Sequence, residues 1–329
     1  MIRARVMALG AGAWGTALAN VAAVGRERVP LWARDPAHVA ALASARENAR
    51  FLPGLRLADA VAPTDDLSEL GTAEIVLCAA PAQAVRSLAR AARPHLATGA
   101  AFVICAKGIE QGTRAFLSDV VAEEAPQVEI AVLSGPSFAA DVCRGLPTAV
   151  TVATKREGSA QRLAEQLSSR SFRLYRSQDV RGVEIGGAAK NVLAIACGMA
   201  AGRRLGASAN AALIARGFTE LRRLGAACGA RAETLMGLSG LGDLVLTCGS
   251  NQSRNFALGE ALGRGEALSE ASHGKLAEGA FTASALREIA RDKLVEMPIS
   301  QSVADILAGS MDVEAAIEAL LMRPLRAEG

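Results

Sequence analysis

No CxxC pair occurs in the sequence, and histidine appears only three times. The six cysteines (Cys78, Cys105, Cys143, Cys197, Cys228, Cys248) are widely spaced, several in apolar runs such as AAFVICA around Cys105. A free thiol in such a run behaves as a small hydrophobe. The pattern argues against a zinc site or a disulfide framework and suits a reducing cytoplasm, with no metal expected. A large charge surplus is missing too. The net charge of +3 is far from a nucleic-acid-binding signature. At 51% hydrophobic residues the chain is not disordered, and 329 residues fit one large or two ordinary domains. Lysine is the last scarcity. Of 36 basic residues 31 are Arg, leaving Lys107, Lys155, Lys190, Lys275 and Lys293. A general drift towards Arg accounts for the bulk, and the lysines that remain are the positions to explain.

Long uncharged runs are scarce as well. Val6–Gly25, preceded by Arg3 and Arg5, superficially resembles a signal peptide or a short membrane span. Four glycines and Asn20 interrupt it, and its front half reads as a strand. Neither export nor membrane insertion is expected.

The first half alternates short apolar runs with helical patterns. Strands are predicted at Arg5–Leu9, Arg28–Ala33, Ala73–Ala79, Ala101–Ala106, Val128–Ser134, Ala149–Ala153 and Phe172–Tyr175. Continuous apolar runs such as EIVLCAA suit strands buried on both faces of a parallel sheet. Helical stretches such as Ala82–Ala92 and Arg114–Glu124 lie between them. After about Arg181 the strand signal vanishes, and helices are predicted at Val183–Ala201, Ala209–Cys228, Arg254–Leu262, Thr282–Lys293, Ile299–Ala308 and Val313–Met322. The expected fold is α/β: a Rossmann-type doubly wound sheet over residues 1–180, then an all-helical domain over 181–329, with a cleft between.

Gly10-Ala-Gly12-Ala13-Trp14-Gly15 follows the first strand directly and opens a helix. In a dinucleotide fold the first glycine allows the tight turn, the second lets backbone approach a pyrophosphate, and the third permits helix–strand packing. The pyrophosphate then meets free amides and the positive end of the helix dipole. The second strand ends at Leu31-Trp32-Ala33-Arg34-Asp35. An acid at that tip takes the ribose hydroxyl of NAD, whereas an Arg accommodates the 2′-phosphate of NADP. Arg34 favours NADPH, with NADH as the alternative; a solvated helix-flanking charge is the plainer reading.

Further blocks follow: GAGAWGTALA (10–19), FLPG (51–54), CAKGIE (105–110), SGPSFA (134–139), GLPTAV (145–150), GGAAKNVLAIACGM (186–199), LSGLGDLVLTC (238–248), SRN (253–255) and AEG (277–279). In this order and spacing they are specific. The chain resembles the bacterial NAD(P)-dependent glycerol-3-phosphate dehydrogenase family over nearly its whole length. The resemblance implies reversible hydride transfer between NAD(P)H and dihydroxyacetone phosphate to give sn-glycerol 3-phosphate, which supplies phospholipid synthesis. Similar enzymes are often homodimers, and that expectation carries over.

Each block also has its own chemical reading. The small residues around Lys190 imply a closely approached helix and a partly desolvated lysine, whose pKa falls towards the working pH. Ion pairing with Glu184 is the plainer alternative; the resemblance implies that Lys190 is the general acid/base. Lys107 stands at the carboxyl end of a strand, where ligands bind in open α/β sheets, and the resemblance gives it both substrate and cofactor. Ser137 reads as the cap of a helix after the SGPS turn. By resemblance Gly135 and Ser137 touch substrate and Ala139 the cofactor. Asp243 could orient the lysine or bind a substrate hydroxyl, or merely cap the turn after it. Ser253, Arg254 and Asn255 offer a hydroxyl, a guanidinium fork and an amide, a set suited to a phosphate monoester. The resemblance makes all three substrate contacts and adds Arg254, Leu276 and Glu278 to the cofactor site.

Phe51 stands where the family often has Tyr, Gly249 breaks a common run, and Gly206–Asn210 lacks a usual acid. Two other readings fit parts of the sequence. A 2- or 3-hydroxyacid dehydrogenase on the same plan would need a carboxylate-binding Arg. A non-catalytic dinucleotide sensor would need only the glycine turn.

Overall fold

In a computed structural model, which describes residues 3–272 and 277–323, one eight-stranded sheet is followed by a helical half. The strands are β1 (Val6–Leu9), β2 (Val29–Trp32), β3 (Val61–Thr64), β4 (Ile75–Cys78), β5 (Ala101–Ile104), β6 (Glu129–Ser134), β7 (Thr148–Ala153) and β8 (Phe172–Ser177). Their spatial order is β3-β2-β1-β4-β5-β6-β7-β8, parallel throughout except where β7 runs antiparallel to β6. The order reverses between β1 and β4, which is where ligands bind in such sheets. Seven of these strands are those expected. β3 was not: it is four residues long, lies at the sheet edge and contains Pro63, which an edge strand tolerates.

The helices accompanying the sheet are α1 (Ala13–Ala23), α2 (Pro36–Ala45), α3 (Val85–Ala92), α4 (Leu117–Glu124), α5 (Ala139–Cys143) and α6 (Ser159–Leu167). Alternate residues of each central strand face opposite layers. Val6, Ala8, Ile75, Leu77 and Val103 join α1 in one apolar cluster, while Met7, Leu9, Val76, Phe102 and Ile104 join α3 and α4 in the other. A continuous apolar run is what a strand covered on both faces requires.

The helical half comprises α7 (Val180–Gly202), α8 (Gly206–Ala227), α9 (Ala232–Met236), α10 (Asp243–Cys248), α11 (Arg254–Gly263), α12 (Leu268–Ala271), α13 (Glu278–Asp292), α14 (Pro298–Leu307) and α15 (Val313–Leu321). By length and composition α7 could cross a membrane, yet 89% of its most apolar window is buried inside the protein. It is the axis of the molecule. Val180 and Val183 belong to the sheet's apolar cluster, whereas Ile185 to Met199 belong to the helical one. The predicted close approach is seen against α11: a Cβ on Gly198 would lie 2.1 Å from the Phe256 carbonyl oxygen, and one on Gly259 2.0 Å from that of Ile195. Backbone therefore meets backbone along this face of α7, and Lys190, on the same helix, is buried.

Candidate active site

Three elements aim charged groups at one point beside the carboxyl ends of the strands. Lys107 follows β5 by three residues, Lys190 lies midway along α7, and Asp243 is the first residue of α10, after a π-helical turn over Leu238–Gly242. Lys190 Nζ donates to Asp243 Oδ1 at 2.6 Å, and Lys107 Nζ donates to Asp243 Oδ2 at 2.7 Å. Lys107 also donates to the Gly135 carbonyl at 2.9 Å, and Lys190 to Thr247 Oγ1 at 2.8 Å. One carboxylate thus bridges two ammonium groups, leaving a single net positive charge. The side chains of Lys190 and Asp243 are 8% and 1% exposed, and that of Lys107 is 16% exposed.

Burial brings the Lys190 pKa down to about 8, with Lys107 pushing the same way and the Asp243 carboxylate opposing. Such a group exists in both protonation states near neutral pH, as an acid/base catalyst must. Two of its ammonium protons are committed, and among the described residues the third has no partner.

A model for the N-terminus of NAD-dependent glycerol-3-phosphate dehydrogenase matches residues 5–160, and one for its C-terminus matches residues 179–318. The chain belongs to the NAD-dependent glycerol-3-phosphate dehydrogenase family. It is 60% identical over 324 residues to a glycerol-3-phosphate dehydrogenase [NAD(P)+] of Azorhizobium caulinodans, covering 98% of each chain. A Rhodopseudomonas palustris protein of the same name is 57% identical over 323 residues, again covering 98% of each. Among solved structures, glycerol-3-phosphate dehydrogenase from Coxiella burnetii superposes with a TM-score of 0.93 at 39% identity, covering 98% of this chain and 99% of that one.

Within this family member, several local alternatives are decided. Glu184 does not pair with Lys190. Its carboxylate accepts from the Ser118 N–H and hydroxyl, both at 2.7 Å, and so caps α4 from α7. Burial raises the Glu184 pKa to about 7. Ser137 caps no helix: α5 starts after Phe138 without a side-chain cap, and Ser137 Oγ donates to the Gly135 carbonyl at 3.0 Å. Asp243 does not cap α10 either, because its oxygens are taken by the lysines.

The SRN triplet divides its work. Ser253 Oγ caps α11 by accepting from Phe256 N at 3.2 Å. Asn255 is buried. Its Nδ2 donates to Asn191 Oδ1 at 3.0 Å, its Oδ1 accepts from Gly279 N at 2.8 Å, and Asn191 Nδ2 donates to the Lys107 carbonyl at 3.0 Å. Arg254 is exposed at the start of α11, with no hydrogen bond among the described residues. Sequence reasoning missed Asn191 and Thr247. Thr247 lies four residues after Asp243, one helical turn on, where the two side chains share a face.

The amino-terminal turn fits a dinucleotide. Gly10 has φ +102°, a Cβ on Gly15 would lie 1.9 Å from the Gly10 carbonyl oxygen, and Gly12 precedes α1 with no side chain on its open face. Two orphaned polar atoms flank this region: the buried Trp14 Nε1 and Glu278 Oε2 have no protein partner among the described residues. The other Glu278 oxygen accepts from Ala82 N at 3.2 Å, beside β4's carboxyl end. Burial raises the Glu278 pKa, and nearby Arg254 opposes that shift. Trp14 and Ala139 border the same apolar cluster together with Ala13. Arg34 is exposed and unpaired among the described residues, while Asp35 spends its carboxylate capping α2 through Ala37 N at 3.0 Å. Leu276, expected at the cofactor, lies outside the described residues.

Proposed function

We propose that this protein catalyses reversible reduction of dihydroxyacetone phosphate to sn-glycerol 3-phosphate, with NADPH preferred and NADH accepted, and with Lys190 as general acid/base. The observation that carries the role of Lys190 is the buried Asp243 carboxylate that bridges it to Lys107. Residues 1–180 hold most of the cofactor: Gly10, Gly12, Ala13, Trp14 and Gly15 receive the pyrophosphate half, Arg34 the 2′-phosphate, and Lys107 and Ala139 part of the remainder, which Arg254, Leu276 and Glu278 of the helical half complete. Residues 181–329 bring most of the substrate contacts. When bound, the nicotinamide supplies hydride to the carbonyl carbon.

The chain's own residues do the rest. The free ammonium proton of Lys190 passes to the carbonyl oxygen as negative charge develops there. The N–H bond breaks as the O–H bond forms, and the resulting amine is reprotonated by water before the next turnover. In the oxidative direction the amine takes the hydroxyl proton. Lys107 holds positive charge beside the same oxygen. Asp243 keeps both lysines in place, and Gly135 and Ser137 line the substrate's path. Arg254, with Ser253 and Asn255, takes the phosphate. On this reading the enzyme works in the cytoplasm as a homodimer and supplies glycerol phosphate for phospholipid synthesis.

The primary test is loss of NADPH absorbance on adding dihydroxyacetone phosphate, compared with NADH; a folded, cofactor-binding protein without turnover would sink the proposal. A pH series gives a second result. Because reduction needs the ammonium, its kcat/KM falls as pH rises through about 8, whereas oxidation of glycerol 3-phosphate rises over the same range. Identical profiles in both directions would contradict the assignment. Arg254→Gln removes the charged fork from phosphate, so KM for dihydroxyacetone phosphate rises about 10- to 100-fold, the worth of a hydrogen bond to a charged group. Steady-state kinetics reads this directly, and an unchanged KM would place the phosphate elsewhere.

A further inference from the structure

We propose that Asn48, which is not among the expected cofactor contacts, is a positioning residue for the dinucleotide: with His38 it holds the Ala11 carbonyl so that the Gly12 amide faces the pyrophosphate. This inference rests on the cofactor reading above. Asn48 lies in the loop between α2 and β3 and is fully buried, at 0% exposure. Its Nδ2 donates to the Ala11 carbonyl at 3.1 Å and to Thr16 Oγ1 at 2.7 Å. One amide therefore ties the glycine-rich turn to the first turn of α1. From a separate segment, His38 Nε2 donates to the same Ala11 carbonyl at 3.1 Å.

The peptide geometry converts this grip into function. No cis peptide is present among the described residues, and in a trans peptide the carbonyl and the following N–H point in opposite directions. Two donors drawing the Ala11 carbonyl inward turn the Gly12 N–H outward, towards the open face of the turn. An anion at the start of α1 meets that amide already oriented, so binding does not have to order it.

The loop around Asn48 is itself braced. The Asn48 backbone carbonyl accepts from Phe51 N at 3.1 Å and Leu52 N at 2.7 Å, and the His38 and Phe51 rings meet edge-on with centroids 5.6 Å apart. Asn48 Oδ1, by contrast, is buried without a partner among the described residues. An unsatisfied buried acceptor destabilises the fold. The residue is kept there for its two donors rather than for packing alone.

The experiment combines calorimetric titration with NADPH and steady-state kinetics on the full chain. Asn48→Asp replaces the donor by an oxygen that repels the Ala11 carbonyl. Its Kd for NADPH rises about tenfold or more, while kcat at saturating substrates and KM for dihydroxyacetone phosphate stay within about twofold. His38→Leu removes the second donor from a half-exposed site and raises the Kd about threefold with kcat unchanged. An Asn48→Asp Kd within about twofold of wild type, or a kcat falling in proportion to affinity, overturns the inference. If circular dichroism shows Asn48→Asp unfolded, His38→Leu decides alone, and an unchanged Kd there overturns it. Wild-type protein that binds NADPH but does not reduce dihydroxyacetone phosphate overturns the proposed activity and leaves the Kd comparison valid. Wild-type protein that binds no NADPH overturns both.

Discussion

Lys190→Arg lowers turnover of dihydroxyacetone phosphate by about 10²- to 10⁴-fold, the usual contribution of a positioned proton donor. The guanidinium keeps the positive charge but does not give up its proton at accessible pH. Electrostatic stabilisation of the alkoxide is thereby partly retained and proton transfer is removed. NADPH affinity stays within about threefold, because the glycine-rich turn lies on the other half of the site and distant substitutions act independently. Lys190→Ala loses the charge as well, and small primary amines added to that variant restore part of its activity by supplying the missing proton. Near-normal turnover in Lys190→Arg, with cofactor binding intact, would transfer the acid/base role to another group.

Asp243→Asn has the second large effect, and it acts on stability and chemistry together. The variant leaves two ammonium groups buried with no anion between them. Removing one partner of a buried ion pair costs about 3–5 kcal/mol, because the remaining charge is left uncompensated. Lys190 relieves this by releasing its proton, so the destabilisation shrinks as pH rises, and a series of melting temperatures across pH reads that slope. The carboxylate is also what holds the Lys190 pKa up against burial and Lys107. Without it the pKa falls below about 8, and the pH at which reduction fails moves down with it. At neutral pH Lys190 then lacks its proton, and kcat drops about 10²-fold or more. A variant with wild-type pH dependence would mean that Asp243 merely packs.

The corrections found along the chain share one cause. Lys190 was legible because Gly186, Gly187 and Gly198 lie within reach of it on the same helix, and small residues at helical spacing signal close packing from sequence alone. Ser137 was misread as a cap because a Ser after a strand and before a helix satisfies the local rule. The Gly135 carbonyl, two residues back, competes for the same hydroxyl. Pairing of Glu184 with Lys190, the plainer alternative, rested on proximity in sequence, but six residues along a helix turn the two side chains to different faces. The carboxylate found the open N-terminus of α4, which sequence places 66 residues away. Asn48 gave no signal of its own.

The lysine scarcity has a sharper meaning in three dimensions. Lys155 and Lys293 are exposed, Lys275 lies outside the described residues, and Lys107 and Lys190 meet on one carboxylate. The alternation of buried strands and helices, the glycine-rich turn, and the choice of Lys at two motifs are all local properties. Periodicity and residue type carry them, so the sequence by itself determined the fold class and singled out the two lysines of the proposed site. Only the tertiary structure decided that Asp243, 53 residues from Lys190 and 136 from Lys107, joins them. It alone decided too that Asn255 and Asn191 brace the Lys107 carbonyl, and that Asn48 grips the glycine-rich turn. Those contacts depend on how finished elements pack against one another. A buried polar group selects its partner from whatever packing brings within about 3 Å, and spacing along the chain does not specify that.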